Sequence, residues 1–188
     1  MPELFPAWLI PLVFGMVGAC IGSFLNVVIY RVPLGISIND PARSFCPECD
    51  EPIPWYLNIP VFSWLFLRGK SACCRTPISF RYWLVELLTA LIFAAMAWKY
   101  ADASLGAAVL LCVWSALAIV IIFIDAEHLI VYRSQALAAA AAGVGACCFF
   151  PFLLPDKEIM TWTDAFQGAV LGGAAGYAII RLVIELGK

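Results

Sequence analysis

Charged residues are scarce in this sequence. Only 13% of its 188 residues are Asp, Glu, Lys or Arg, and 64% are apolar, whereas a typical soluble domain has about 25% charged residues. Because so few charges cannot cover a surface that faces water, lipid must cover much of the protein. The net charge is only −2, so the sequence offers no broad basic surface, and we expect no nucleic-acid partner.

The N-terminus also lacks the basic residues of a secretory signal peptide, and the apolar stretch after Glu3 is too long for the core of one. We therefore expect that stretch to remain as a membrane span. A spanning helix needs about 20 mostly apolar residues. Five stretches approach this length: 8–30, 83–98, 105–124, 136–154 and 165–184. The predicted fold is an all-α polytopic membrane protein with about five transmembrane helices.

The long polar segment between the first two stretches divides the chain into three regions. These are the first transmembrane helix (1–30), a cysteine-containing domain (31–82) and a helical bundle of about four spans (83–188). Nine Lys and Arg residues lie on the side of the cysteine domain, and only Lys99 and Lys157 lie on the other. Because positive loops stay inside, we expect the cysteine domain to be cytoplasmic.

Glycines recur at every fourth position in two of the expected spans. Gly18 and Gly22 lie in the first, and Gly168, Gly172 and Gly176 lie in the fifth. Residues at this spacing share one helix face and let a neighbouring helix approach closely. We interpret them as packing positions rather than ligand positions. No internal repeat is visible in the sequence.

Cysteines form two groups. Four lie in apolar stretches and are expected to be small packing residues: Cys20, Cys112, Cys147 and Cys148. The other four lie in the polar segment: Cys46, Cys49, Cys73 and Cys74. In a cytosolic segment this clustering favours a metal site over a disulfide framework.

The spacing of the second group leaves the metal site open. Cys46-Pro-Glu-Cys49 is a CxxC pair of the kind that holds zinc, and a second pair is expected about twenty residues later. There Ser71 stands where the first thiol should be, although Cys73 beside Cys74 could replace it. The loop would hold zinc through four thiolates or through three, or would lack metal. Without metal, aromatic residues would pack the loop: Trp55, Phe62, Trp64 and Phe66.

Two carboxylates lie in the expected spans, where an ionisable group is a functional candidate. Glu86 could reach the headgroups, cap a helix start or line a cytoplasmic cleft. Asp125 is expected to be a buried acid at the cytosolic boundary. It would mark a helix end, or form half of a carboxylate pair that activates water. Glu127 is a poor partner because residues two apart on a helix do not face each other, and His128 is expected to be interfacial.

Three segments together resemble the bacterial prepilin peptidase family of aspartic leader peptidases and N-methyltransferases. The first is GSFLNVVIYRVP at 22–33. The second combines CPEC at 46–49 with NIPVFSWLFLRG at 58–69 and CRTPISFRYWLVELLT at 74–89. The third is IDAEH at 124–128. The resemblance implies a multi-pass protein of the bacterial inner membrane whose cysteine insert is cytoplasmic and zinc-ribbon-like.

The same resemblance implies an activity. Family members cut the leader from type IV pilin or type II secretion pseudopilin precursors and methylate the new N-terminus with S-adenosylmethionine. Asp125 looks like the first catalytic aspartate of the family. The cysteine loop corresponds to a domain that usually binds zinc and is implicated in methyl transfer. Four further residues occupy motif positions without an assigned role: Gly22, Asn26, Arg31 and Glu86.

The sequence departs from the family in its acids. The second catalytic aspartate of the family lies in a GxGD motif, and no glycine here is followed by aspartate. We therefore expect the N-terminal part of such an enzyme, truncated or completed by a second polypeptide that carries GxGD. Because a lone acid lacks the partner that shares its proton, little peptidase activity is expected. The alternatives are an inactive membrane module that docks pilin-like helices and a structural membrane subunit.

Overall fold

A computed structural model describes residues 6–40, 44–46 and 48–128, together with positions 163 and 167. The helices in this part are α1 (Leu9–Arg31), α2 (Phe62–Phe66), α3 (Phe80–Tyr100) and α4 (Leu105–His128), with a 3-10 turn at Trp55–Leu57. The only β pairing among the described residues is two isolated bridges. Helices α1, α3 and α4 are long and apolar enough to cross a membrane. The all-α membrane fold is confirmed.

The two remaining expected spans, 136–154 and 165–184, lie outside the described residues apart from position 167. Helices α3 and α4 run longer than the hydropathy of the sequence predicts. Helix α3 begins at Phe80 because the side chain of Ser79 accepts a hydrogen bond from the Arg81 N–H at 3.3 Å, which caps the helix start. Helix α4 continues past Asp125 to His128.

Close packing of α1 against α3 depends on glycine. A Cβ atom on Gly18 would lie 2.8 Å from the Thr89 carbonyl oxygen, and one on Gly22 would lie 2.8 Å from the Glu86 Cα. Such distances leave no room for a side chain, so these glycines let the two backbones approach. The packing interpretation is confirmed for both. The glycines of the expected fifth span lie outside the described residues.

The third helix completes the described core. Six buried apolar residues from α1, α3 and α4 form one cluster: Leu25, Ile29, Val85, Ile119, Val120 and Ile124. Only residues 101–104 separate α3 from α4, so these helices form an antiparallel hairpin. At the other end of the hairpin, Arg81 forms an ion pair with Glu127. The end of α1, the start of α3 and the end of α4 therefore lie at one end of the bundle.

Candidate functional site

Two short turns carry the four loop cysteines. The first cysteine turn (44–53) is closed by the bridge between Phe45 and Pro52, and the second cysteine turn (69–78) by the bridge between Lys70 and Pro77. Each turn is therefore a small knuckle that presents its thiols from a tight bend, which is the local structure of zinc-ribbon ligands.

The two cysteine turns are equivalent under a shift of 25 residues. In the first, the Cys46 N–H donates to the Glu51 carbonyl at 2.9 Å, and in the second the Ser71 N–H donates to the Thr76 carbonyl at 2.8 Å. The expectation that the chain has no internal repeat is therefore wrong at this scale. The shared Cys-x-x-Pro-Ile ending of both turns was the available signal.

This register shows what Ser71 replaces. Ser71 is the counterpart of Cys46, and Cys74 is the counterpart of Cys49, so Cys73 is an additional thiol with Glu48 as its counterpart. The Sγ atoms of all four cysteines nevertheless lie within 4.8 Å of one another. Cys73 therefore supplies the fourth sulfur of the cluster, which the serine at position 71 cannot supply.

The sulfur positions suit a tetrahedral metal ion. Cys46 and Cys74 are 3.6 Å apart, Cys49 and Cys73 are 3.2 Å apart, and Cys73 and Cys74 are 3.8 Å apart, each measured between Sγ atoms. Tetrahedral zinc with bonds of about 2.3 Å places its sulfurs about 3.8 Å apart. The cluster could therefore hold a metal ion through four thiolates, which is the first of the three expected alternatives.

Hydroxyl groups shape the acidity of this cluster. The Ser71 hydroxyl, 3.1 Å from the Cys74 Sγ, and then the Thr76 hydroxyl lower the pKa of Cys74 to about 6. The backbone N–H of Glu48 lowers the pKa of Cys46. At Cys49 the Glu51 N–H favours the thiolate, but contacts with the neighbouring thiols outweigh it and raise the pKa to about 12. Four thiolates therefore need a cation between them.

Aromatic packing does not replace the cysteine cluster. Trp55 and Phe66 have exposed fractions of 82% and 83%, and Phe62 is exposed as well. The expectation that these side chains pack the loop is wrong. Trp64 alone packs as expected, but against the start of α3, with its ring centroid 5.8 Å from Phe80 and 5.9 Å from Trp83.

A cavity of about 580 Å³ lies between the cysteine turns and the ends of α1 and α3. Its wall includes Cys46 and Cys73 on the loop side and Asn26 and Glu86 on the helix side. Ligand cavities usually have about 300–1,000 Å³ of space. The cavity is therefore large enough for a small molecule or the end of a peptide.

Glu86 joins the loop to α3. Its Oε2 accepts a hydrogen bond of 2.7 Å from the N–H of Val61, a β-branched residue at the unusual φ of 66°. Such a backbone conformation persists only when surrounding contacts impose it. Of the three alternatives for Glu86, the structure favours the cleft. Glu86 lines the cavity and is not in the first turn of α3.

Arg31 and Asn26 fix the end of α1 beside the same cavity. The buried guanidinium of Arg31 donates to the carbonyls of Ser37 and Ile38 at 3.1 and 3.0 Å, so it folds the chain back after the helix. The Asn26 amide donates to the Tyr82 carbonyl at 2.9 Å, which joins α1 to the first turn of α3. These two motif residues therefore position the helix ends that form the cavity wall.

Asp125 lies in the last turn of α4 and is exposed, so the expectation of a buried acid is wrong. Its neighbours are engaged elsewhere. Glu127 pairs with Arg81, and the His128 Nε2 lies 3.9 Å from the Glu127 carboxylate. Asp125 is nevertheless at the end of the bundle that carries the cysteine turns. The ion pair between Arg81 and Glu127 was not predicted. The sequence did show a basic residue before the expected span 83–98 and an acid after the expected span 105–124.

Known proteins resemble this chain over most of its length. The bacterial peptidase A24 N-terminal domain matches residues 16–100. The prepilin leader peptidase/N-methyltransferase of Pectobacterium carotovorum subsp. carotovorum is 37% identical over 96% of this chain and 67% of that protein. The chain belongs to the prepilin leader peptidase/N-methyltransferase family. No solved structure matches it.

Two other members of this family cover the chain in the same way. The proteins of Myxococcus xanthus strain DK1622 and Neisseria gonorrhoeae are 41% and 35% identical to it, each over 92% of this chain. The matches cover 47% and 64% of those proteins. The chain therefore spans about half to two thirds of the length of its relatives in the family. The A24 match at 16–100 contains α3, both cysteine turns and most of α1, which together enclose the cavity.

Proposed function

We propose that this chain is the membrane-embedded N-terminal region of a prepilin leader peptidase and N-methyltransferase. The observation that carries the proposal is the meeting of the first two resembling segments, 22–33 and 46–89, around one cavity. Asp125, in the third segment, lies at the same end of the bundle. A pilin precursor would be its substrate, because the names of the relatives specify a prepilin, and a type II secretion pseudopilin precursor is the other substrate that the resemblance implies. The apolar part of that precursor would lie along the lipid-facing helices.

The cysteine loop and Asp125 would face the cytoplasm across the bacterial inner membrane. Among the described residues, one end of the bundle carries five basic residues: Arg31, Arg68, Lys70, Arg75 and Arg81. The opposite end carries Lys99 at the close of α3. Because basic residues are retained on the cytoplasmic side, this distribution supports the proposed orientation.

Zinc is the proposed occupant of the cysteine cluster. Four thiolates at tetrahedral separations match the ligand set of structural zinc sites, and a closed site of this kind stabilises a fold rather than performing catalysis. Cys46, Cys49, Cys73 and Cys74 would hold the ion. They would thereby fix the loop side of the cavity.

Peptide cleavage would use Asp125 as one acid of a pair. In such a pair one carboxylate takes a proton from water while the other, protonated, donates to the substrate carbonyl. Residues 1–188 contain no Gly-Asp sequence to provide the partner in the form that the family uses. We therefore propose that cleavage requires a GxGD segment, which a second polypeptide could supply. S-adenosylmethionine would provide the methyl group for the second reaction.

Co-expression with a prepilin tests the proposal. We expect leader cleavage and N-terminal methylation, both read by mass spectrometry of the pilin, when residues 1–188 are expressed with a GxGD-containing polypeptide. Asp125→Asn should abolish cleavage, and Asp102→Asn, an exposed acid at the opposite end of the bundle, should not. Prepilin that co-purifies uncut under all conditions would instead favour the docking module. Cleavage by residues 1–188 alone would contradict the need for a second acid.

A further inference from the structure

Negative charge dominates the cavity between the cysteine turns and the helix ends. Its ionisable lining among the described residues includes the carboxylates of Glu48, Glu51 and Glu86, opposed by the guanidinium of Arg31. That guanidinium already donates to two backbone carbonyls. Thiolates that hold a zinc ion would add a further net negative charge at the loop side. The electrostatics of the cavity therefore favour a cationic ligand.

Glu86 is placed to receive such a cation. It lies between the loop and the apolar part of α3, and its Oε2 accepts one hydrogen bond from the Val61 N–H. A carboxylate offers about four lone-pair sites. Hydrogen bonds from a cation to a carboxylate are shorter and stronger than those between neutral groups. The carboxylate therefore retains capacity for a charged donor.

Asn26 shows that a donor is missing at this place. Its side chain is only 2% exposed, and while the Nδ2 group donates to the Tyr82 carbonyl, the Oδ1 atom has no hydrogen-bond partner. A buried acceptor without a donor is costly and uncommon in folded proteins. Asn26 lines the same cavity as Glu86. A ligand with several N–H bonds would satisfy both acceptors.

Aromatic rings complete the wall. Tyr30, Trp64 and Tyr82 all line the cavity. Aromatic faces attract cations through their negative π-electron density, and they exclude water from the site. Acceptors, aromatic rings and excess negative charge together are the features that recognise an ammonium group.

We propose that this cavity binds an α-ammonium group, with the Glu86 carboxylate as its counter-ion and the Asn26 Oδ1 as a second acceptor. The inference rests on the proposed function, since an N-methyltransferase must hold an amino group. Two sources carry this chemistry. One is the N-terminus of the peptide that receives the methyl group, and the other is the amino-acid end of S-adenosylmethionine.

Binding to the purified chain in detergent tests the assignment and separates the two sources. The probes are an apolar hexapeptide with a free amino terminus, the same peptide N-acetylated, and radiolabelled S-adenosylmethionine. We expect Glu86→Gln, which keeps an acceptor for the Val61 N–H, to weaken at least one of the free-amine ligands by about tenfold or more. Asp102→Asn is the matched control and should change no affinity.

The pattern of losses identifies the bound group. If Glu86→Gln loses affinity only for the free-amine peptide, and the acetylated peptide binds weakly to both the unmodified chain and Glu86→Gln, the cavity is assigned to the peptide N-terminus. Loss of S-adenosylmethionine only assigns it to the cofactor. If Glu86→Gln is folded and binds both ligands as the unmodified chain does, the proposal is wrong. The two forms of the peptide are compared on the unmodified chain, so this comparison does not depend on the folding of Glu86→Gln. If the peptide with a free amino terminus binds no better than its acetylated form, the peptide assignment is wrong.

Methylation of a pilin substrate separates this inference from the proposed function. If the unmodified chain binds an amine through Glu86 but methylates and cleaves no pilin in the co-expression experiment, the cavity assignment stands and the proposed function fails. If it methylates pilin while Glu86→Gln binds both ligands normally, the proposed function stands and the cavity assignment fails.

Discussion

The helix pair α1–α3 and the cysteine loop between them are stabilised in different ways. The helices bury residues over more than half of their length, from Gly18 to Arg31 in α1 and from Val85 to Ala97 in α3. Among the described residues between 32 and 79, only Cys46 and Gly69 are buried. The loop also contains all the described non-glycine residues with positive φ: Asp50, Val61, Arg68 and Arg75. Side-chain packing stabilises the helix pair, whereas backbone hydrogen bonds within the turns and the cysteine cluster stabilise the strained loop.

Removal of the metal should produce the largest difference between the two regions. Structural zinc binds zinc-finger peptides with about 10–16 kcal/mol of apparent free energy, and this energy folds them. We expect Cys46→Ser, at the most buried of the four ligands, to lower bound zinc well below about one ion per chain. Limited proteolysis should then cut the loop between 44 and 79 first, while circular dichroism retains the signal of the spanning helices.

Cys20→Ser is the control for that experiment, because Cys20 lies on α1 outside the cluster. It should keep full zinc content and the original cleavage pattern. Cys73→Ser decides the ligand set, since it should lose zinc as Cys46→Ser does if the shifted thiol is the fourth ligand. A loop that resists protease equally with and without chelator would show that packing, not metal, holds it.

Added volume at the α1–α3 interface should produce a smaller effect, confined to the helices. A Cβ at Gly22 would meet the backbone of Glu86 at 2.8 Å, so Gly22→Ala must push the helices apart. Overpacking of this kind costs about 1–3 kcal/mol. Helix propensity acts in the opposite direction, by about 1 kcal/mol in favour of alanine. We expect net destabilisation in unfolding by SDS in mixed micelles, with zinc content unchanged.

Gly15→Ala is the matched control on the same helix. Its Cβ would lie 3.5 Å from the Ala94 Cβ and 3.6 Å from the Ala90 carbonyl, which are ordinary contacts. Propensity then acts alone, and Gly15→Ala should be neutral or slightly stabilising. If both variants stabilise the protein equally, the close approach at Gly22 is not important for packing.

The same contrast explains what the sequence could predict. Hydropathy located α1, α3 and α4 because lipid contact requires apolar side chains along a whole helix. It missed the ends of two of them, because a cap at Ser79 and the ion pair between Arg81 and Glu127 extend helices into polar sequence.

The loop was predicted less well. Its CxxC pair indicated a metal site, but spacing could not show whether Cys73 replaces the thiol missing at Ser71. That depends on the distances between sulfurs on two folded turns. The aromatic core expected there was wrong because three of its members are exposed. The role of Asp125 stays a prediction.

The smallest expected effect lies within the second cysteine turn. Hydrogen bonds from the hydroxyls of Ser71 and Thr76 lower the pKa of Cys74 to about 6 from its usual 9.0. Ser71→Ala removes the larger cause, so we expect the pKa of Cys74 to rise. In metal-free protein, the rate of iodoacetamide modification of Cys74, followed by mass spectrometry against pH, should then reach its midpoint at a higher pH.

The lowered pKa of Cys74 also determines how the stability of the folded loop depends on pH. A thiol whose pKa is lowered by folding stabilises the fold fully at pH values above its unfolded pKa, and the contribution is lost as the pH falls through about 6. In metal-free protein, the protease resistance that the loop retains should therefore fall further on acidification through that range, and in Ser71→Ala it should fall at a higher pH. Cys49, with its pKa raised to about 12, is the internal control and should react slowly in both proteins. An unchanged Cys74 midpoint in Ser71→Ala would assign the lowered pKa to Thr76 and the backbone instead.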